Sequence, residues 1–215
     1  MEKPVHTPLP NNGYLIETFG WQPRKGAIRW GLHLARLKRS ASALGVEVDL
    51  TAVAARVEDI HADHAIRCRL TIGLDGEIDL TSVPMPQPAR VWRVAVASER
   101  VDSSDPFLRH KTSQRALYDA SRSALASDLD EVIFLNERDE VCEGTITNIL
   151  VKNTEGSWLT PHVSCGCLPG VYRQMLLDSG QLFEAVVTID DLKAAANVRL
   201  CNSLRGEINM VLVGL

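Results

Sequence analysis

No run of apolar residues in this 215-residue chain approaches the roughly 18 needed to cross a bilayer. No block of like charge stands out at a net charge of −4, which argues against a nucleic-acid surface. The opening stretch, Met1 to Asn12, is polar and proline-rich and lacks the apolar centre of a signal peptide, so a cytoplasmic location is expected. Internal repeats and low-complexity tracts are also missing. Cysteine is scarce and odd in number: Cys68, Cys142, Cys165, Cys167 and Cys201 do not suggest a disulfide framework. Cys165-Gly-Cys167 with His162 nearby has the wrong spacing for the common zinc knuckles and no second cysteine pair, so no metal is expected. His61 and His64 read as polar residues at a helix end. What remains is 45% hydrophobic and 23% charged, the composition of an ordinary globular protein with a real core.

Periodicity then divides the chain. Trp30, Leu34, Leu37, Ala41 and Leu44 recur at helical spacing and predict a helix over Ala27 to Leu44, stopped by Gly45. A second helix is expected from Leu50 to Ile60. Ile66, Cys68, Leu70 and Ile72 alternate as a strand, and Asp75-Gly76 before Ile78 and Leu80 signals a hairpin. Ser82 to Ala89, with three prolines, reads as a linker or sheet edge. Strands are expected at Val91 to Ala97, Val132 to Leu135, Thr145 to Val151, Trp158 to Thr160, Val198 to Cys201 and Asn209 to Val213. A helix is expected from Ser113 to Ala126, and another opens at Leu168-Pro-Gly and ends near Gly180. Mixed elements predict two α+β units dividing near residues 98 to 108.

Taken singly, Lys111 reads as a solvated lysine, Glu143 as a turn residue and Arg36 as a helix-face arginine. The ordered set is more specific. It runs His33-Leu-Ala-Arg36, His110-Lys111-Thr112, Glu143-Gly-Thr-Ile-Thr-Asn148, Leu168-Pro-Gly-Val-Tyr-Arg173 and Cys201-Asn-Ser-Leu-Arg205. This set resembles the class IV aminotransferase family, the fold-type-IV enzymes of pyridoxal 5′-phosphate (PLP), over nearly the whole chain from Leu15-Ile-Glu-Thr-Phe19 to Gly206. The resemblance implies an α+β, two-domain, D-amino-acid-aminotransferase-like fold. A small domain would cover residues 1–100, and a larger α/β domain carrying the PLP lysine would cover 101–215. It also implies a homodimer with its active site near the subunit contact.

The same resemblance implies the roles. PLP requires an amine that attacks its aldehyde. The six lysines are Lys3, Lys25, Lys38, Lys111, Lys152 and Lys193, and Lys111 lies between a loop and a helix start where the family lysine falls. It is the expected catalytic residue. Glu143 matches the partner of the ring nitrogen. Arg36, the backbone of Val171 and Tyr172 at a helix start, and Ser203 match the phosphate side. Arg115, Tyr118, Asn202 and Arg205 are expected on the substrate side. The sequence departs from the family pattern where Asn11-Asn-Gly13 replaces an opening strand pair and turn, and where Ala116 stands for a tyrosine five residues after the lysine. Lys111-x-x-x-Arg115 and Asn202-Ser203-Leu204 resemble the aminodeoxychorismate lyases of the family. That implies elimination of pyruvate to leave 4-aminobenzoate, a folate precursor. Transamination of branched-chain or D-amino acids is the alternative, and a PLP-free relative or binding protein a third.

Overall fold

The computed structural model describes residues 8–87 and 90–214, and they fall into two compact units. The first holds the described residues up to Gln87 together with His110–Gln114. The second holds the remainder up to Arg109 and everything from Arg115 on. This grouping differs from a cut at residue 100. The strand that begins at Trp92 pairs inside the second unit, whereas the segment carrying Lys111 pairs inside the first. Ser82 to Ala89 supplies the end of a strand up to Pro84, and Pro88 and Ala89 lie outside the described residues.

In the first unit a four-stranded sheet runs in the order β2-β1-β3-β4, built from β1 (Tyr14–Gln22), β2 (Gly26–Ala27), β3 (Ile66–Gly73) and β4 (Ile78–Pro84). The alternation of β3 is observed as expected, with Ile66, Cys68, Leu70 and Ile72 buried. Asp75-Gly76 turns the β3–β4 hairpin, with Gly76 at φ 80°, a left-handed conformation that favours glycine. Helices α1 (Trp30–Leu44) and α2 (Leu50–Glu58) complete the unit. Asp49 caps α2 by accepting from the Thr51 and Ala52 amides, and Val53 and Val57 face the core. Each such buried aliphatic side chain contributes roughly 1.5–3 kcal/mol.

Helix α1 differs from the expected apolar stripe. Its buried face is His33, Arg36, Leu37, Ser40, Ala41 and Leu44, while Trp30 and Leu34 are only half-buried. Three polar side chains sit inside because partners await them. Glu17 of β1 takes His33 and Arg36, and the His110 ring contacts the Ser40 hydroxyl at 3.0 Å. Buried polar groups are tolerated where their hydrogen bonds are met.

The second unit is built on an eight-stranded sheet in the order β10-β9-β8-β11-β12-β5-β6-β7. Its strands are β5 (Trp92–Val101), β6 (Glu131–Asn136), β7 (Val141–Gly144), β8 (Asn148–Lys152), β9 (Trp158–Pro161), β10 (Phe183–Ala185), β11 (Asn197–Asn202) and β12 (Gly206–Leu212). Its helices are α3 (Ala116–Ser123), α4 (Val171–Asp178) and α5 (Ile189–Ala194). The β5–β6 and β12–β5 pairs are parallel, and α3 lies in the return from β5 to β6. Trp92, Val94, Ile133, Leu135, Ile149, Leu200 and Ile208 form one core cluster across the middle strands.

Three expectations are corrected here. Thr145 to Thr147 are a turn, and the strand begins at Asn148, because the donors of that turn are claimed by a buried carboxylate, Glu131. Glu143 stands on the short strand β7, not in a turn. Helix α3 likewise starts at Ala116, since Ser113 is held by Tyr14 in the first unit.

Candidate active site

In the first unit, β1 organises the chemistry. The Ile16 amide donates to the Lys111 carbonyl (2.8 Å), the Ser113 amide to the Tyr14 carbonyl (3.0 Å), and Leu15 and Thr112 form an antiparallel bridge. These contacts fix the backbone on both sides of Lys111, whose side chain is half-buried. Glu17 follows on the same strand, 1% exposed. Its carboxylate accepts from Arg36 Nε (2.9 Å), Arg36 Nη2 (2.6 Å) and His33 Nδ1 (2.6 Å). Burial works against that charge, but the Arg36 charge and the hydrogen bonds from His33 and Arg36 outweigh it and hold the carboxyl at about 2. Burial presses the His33 pKa below its ordinary value against the pull of Glu17, with the charges of Arg36 and Lys111 adding to the depression. A neutral ring then carries its proton on Nδ1 toward Glu17.

Arg36 therefore does not hold its Nε/Nη2 fork open for a phosphate. Both nitrogens serve Glu17, and among the described residues only Nη1 of this guanidinium makes no hydrogen bond. Glu17 belongs to the Leu15-Ile-Glu-Thr-Phe19 segment, to which the sequence pattern assigns no role. An acid inside the apolar run Leu-Ile-Glu-Thr-Phe is the signal that could have drawn attention to it.

In the second unit, Glu143 is 7% exposed. Its Oε1 accepts from the Tyr118 hydroxyl (2.9 Å) and its Oε2 from Asn148 Nδ2 (3.3 Å). Burial, then the Glu143 charge and hydrogen bond, push the Tyr118 phenol up, so Tyr118 is a permanent donor to this carboxylate. Asn148 Nδ2 also donates to the Leu168 carbonyl (2.8 Å), tying Glu143 to the approach of α4. Gly170 is the residue before that helix, which has no side-chain cap. A Cβ on Gly170 would fall 1.9 Å from Asn148 Oδ1, so only glycine fits, and Val171 and Tyr172 form the first turn.

Of the residues expected on the substrate side, Tyr118 serves Glu143, while Arg115 donates to Asp119 Oδ1 (2.7 Å) and to the Thr145 carbonyl (3.0 Å). Asn202 donates to the Ile146 carbonyl (3.3 Å), and its Oδ1 accepts from the Leu204 and Arg205 amides, folding the β11–β12 turn that presents Ser203. The Arg205 guanidinium lies 5.4 Å from the centre of the Trp92 ring. The Tyr172 ring lies against Gly206. The five cysteines are free and buried. Among the described residues no group of three or more His, Cys, Asp or Glu side chains is arranged to hold a metal ion, and no helix is long and apolar enough to cross a membrane.

The model of the amino-transferase class IV family matches residues 14–211. A crystal structure from Mesorhizobium loti, provisionally named an amino-acid aminotransferase, is 43% identical with TM-score 0.90, over 94% of this chain and all of that one. A protein of Schizosaccharomyces pombe, provisionally named an aminodeoxychorismate lyase, is 27% identical over 84% of this chain and 82% of its own length. A Legionella pneumophila structure, provisionally named a 4-amino-4-deoxychorismate lyase, shares the fold at 21% identity and TM-score 0.82, covering 97% of this chain and 87% of that one.

Proposed function

The chain belongs to the class IV aminotransferase family and is a PLP-dependent enzyme, and from that premise we propose that it is a 4-amino-4-deoxychorismate lyase, releasing pyruvate and leaving 4-aminobenzoate. The observation that carries this reading is the likeness to the Schizosaccharomyces pombe protein along most of both chains. Two sequence features support it, Lys111-x-x-x-Arg115 and Asn202-Ser203-Leu204. Arg115 and Asn202 hold the carbonyls of Thr145 and Ile146, so both features bear on the turn that follows Glu143. Transamination is the second reading, favoured by the 43% identity to the Mesorhizobium loti protein.

The residues present fit PLP. The first unit offers a primary amine on Lys111 and an N–H on Arg36 Nη1. The second offers a buried carboxylate on Glu143 and a helix start at Gly170 where no side chain intrudes. Lys111 would hold the aldehyde carbon, Glu143 the ring nitrogen, and Arg36, Val171, Tyr172 and Ser203 the phosphate. When bound, PLP supplies an electron sink for breaking bonds at the substrate's α-carbon. The Lys111 side chain, a primary amine that can take up and return a proton, would move a proton between that carbon and the leaving portion. Glu143, kept in place by Tyr118 and Asn148, holds the negative charge that stabilises a proton on the ring nitrogen. The neutral Asn148 and Tyr118 satisfy its oxygens without cancelling its charge.

The enzyme's partner is a small amino substrate, and we read it further as a cytoplasmic homodimer. Incubation with 4-amino-4-deoxychorismate should yield 4-aminobenzoate and pyruvate. Glutamate formed from 2-oxoglutarate and a panel of L- and D-amino acids, with no 4-aminobenzoate, would instead support the transaminase.

A further inference from the structure

Glu131, the first residue of β6, is fully buried, yet among the described residues the nearest positive charge is Arg122 Nη1 at 3.6 Å. Its carboxylate is spent on backbone and hydroxyl donors. Oε1 accepts from the amides of Val132 (3.2 Å) and Thr145 (3.0 Å) and from Thr145 Oγ1 (2.5 Å). Oε2 accepts from the Ile146 amide (3.2 Å) and Thr147 Oγ1 (3.2 Å). Four of these five donors belong to the turn between Glu143 and Asn148.

Three side chains reinforce the turn from other elements. Arg122 donates to Thr145 Oγ1, Arg115 to the Thr145 carbonyl and Asn202 to the Ile146 carbonyl. The Gly144 amide closes it on the Thr147 carbonyl (2.8 Å). Glu131 also accounts for the glycine. A Cβ on Gly144 would sit 2.9 Å from the Glu131 carboxylate and 2.4 Å from Thr147 Oγ1. The Glu-Gly-x-x-x-Asn spacing thus matches a turn wrapped on a buried carboxylate that is thirteen residues upstream of the glycine.

Resting on the PLP reading above, we propose that Glu131 is a positioning residue. By folding the Thr145–Thr147 turn it sets the separation of Glu143 from Asn148, and through Asn148 and the Leu168 carbonyl it sets the start of α4. One carboxylate that touches neither cofactor nor substrate would then align the ring-nitrogen end and the phosphate end of the second unit together.

The variant Glu131→Gln replaces an all-acceptor group by one whose amide nitrogen faces donors, so at least one end of the turn is released. Because Glu131→Gln can fail to fold, Thr145→Val and its conservative partner Thr145→Ser test the same grip more gently. A control, Thr160→Val, removes one buried hydroxyl from the same sheet, where it serves the Ile149 carbonyl (2.8 Å). PLP binding by the wild-type protein is measured first, from its visible band. Glu131→Gln and Thr145→Val should weaken PLP affinity about tenfold or more, as loss of hydrogen bonds to a charged group does. They should also shift the pH midpoint of the band in the direction that Glu143→Gln shifts it. In the apoprotein, amide exchange at Thr145 and Ile146 should accelerate. Thr145→Ser should recover wild-type behaviour, and Thr160→Val should bind PLP within about twofold of wild type, well short of the tenfold effect. Unchanged affinity and band in Glu131→Gln and Thr145→Val, with wild type binding normally, would overturn the positioning role and leave the PLP reading standing. Equal weakening in Thr160→Val would also overturn it, as general destabilisation. Wild type with no visible band would sink the PLP reading and the positioning role with it.

Discussion

Replacing Arg36 with alanine removes two of the three hydrogen bonds that Glu17 receives among the described residues, and the only full positive charge bonded to it. Glu17 is 1% exposed, so the orphaned carboxylate cannot turn to water. Breaking a buried pair by deleting one partner costs about 3–5 kcal/mol. The depression of the Glu17 carboxyl from 4.5 to about 2 gives a similar figure, roughly 3 kcal/mol at 1.36 kcal/mol per unit. For a chain of this size that corresponds to a melting point lower by roughly 6–12 °C. The pH dependence has a definite sign. A carboxyl with a lowered folded-state pKa stabilises the fold above about 4.5, and the contribution is lost as the pH falls from there toward 2. Urea unfolding of the apoprotein between pH 7 and pH 3, followed by circular dichroism, should show a steep acid loss of stability in wild type and a flatter curve in Arg36→Ala. Adding Glu17→Gln to Arg36→Ala should recover part of the loss, because the stranded charge is gone. An Arg36→Ala apoprotein within about 1 kcal/mol of wild type, a value typical of exposed pairs, would refute the reasoning and return Arg36 to the phosphate alone.

Glu143→Gln should retain bound PLP yet slow turnover on the order of 10²-fold, since a preorganised charge is lost while the Tyr118 and Asn148 contacts partly persist; steady-state kinetics with unchanged rates would remove its role. Gly170→Ala should disturb the start of α4, because its Cβ overlaps Asn148 Oδ1, and PLP affinity measured by fluorescence quenching should fall well below that of Gly31→Ala, where nothing lies nearby. The five thiols, all 1% exposed or less, should resist a thiol reagent in the native protein and all react after denaturation; rapid native labelling would contradict their burial.

The chain's local signals carried well wherever one period dominated. Strand β3 and its Asp-Gly hairpin alternate cleanly, and α2 shows one apolar face. Strand β1 was not legible because it is interior to its sheet and buried on both faces along most of its length, so Leu15, Ile16 and Glu17 in succession show no alternation. The same burial hid the role of Glu17 and the inward turn of His33 and Arg36 on α1, since periodicity counts apolar residues and these are polar. The four-residue strand β7 is too short to display a period. The motif residues Lys111, Glu143 and Arg36 were reachable through family resemblance. Asn148 stands in the same motif as Glu143, but the other supports, Tyr118 and Glu131, act through hydrogen bonds that span 14 to 25 residues of sequence, and no local pattern encodes such pairs.

The central claim is that PLP attaches to this chain at Lys111. Borohydride reduction of the PLP-loaded protein, followed by proteolysis and mass spectrometry, tests it most directly. One pyridoxyl group should appear per chain, on the peptide containing Lys111, and the Lys111→Ala protein should show neither label nor visible band. A label on Lys25 or Lys152, or a visible band that survives in Lys111→Ala, would contradict it.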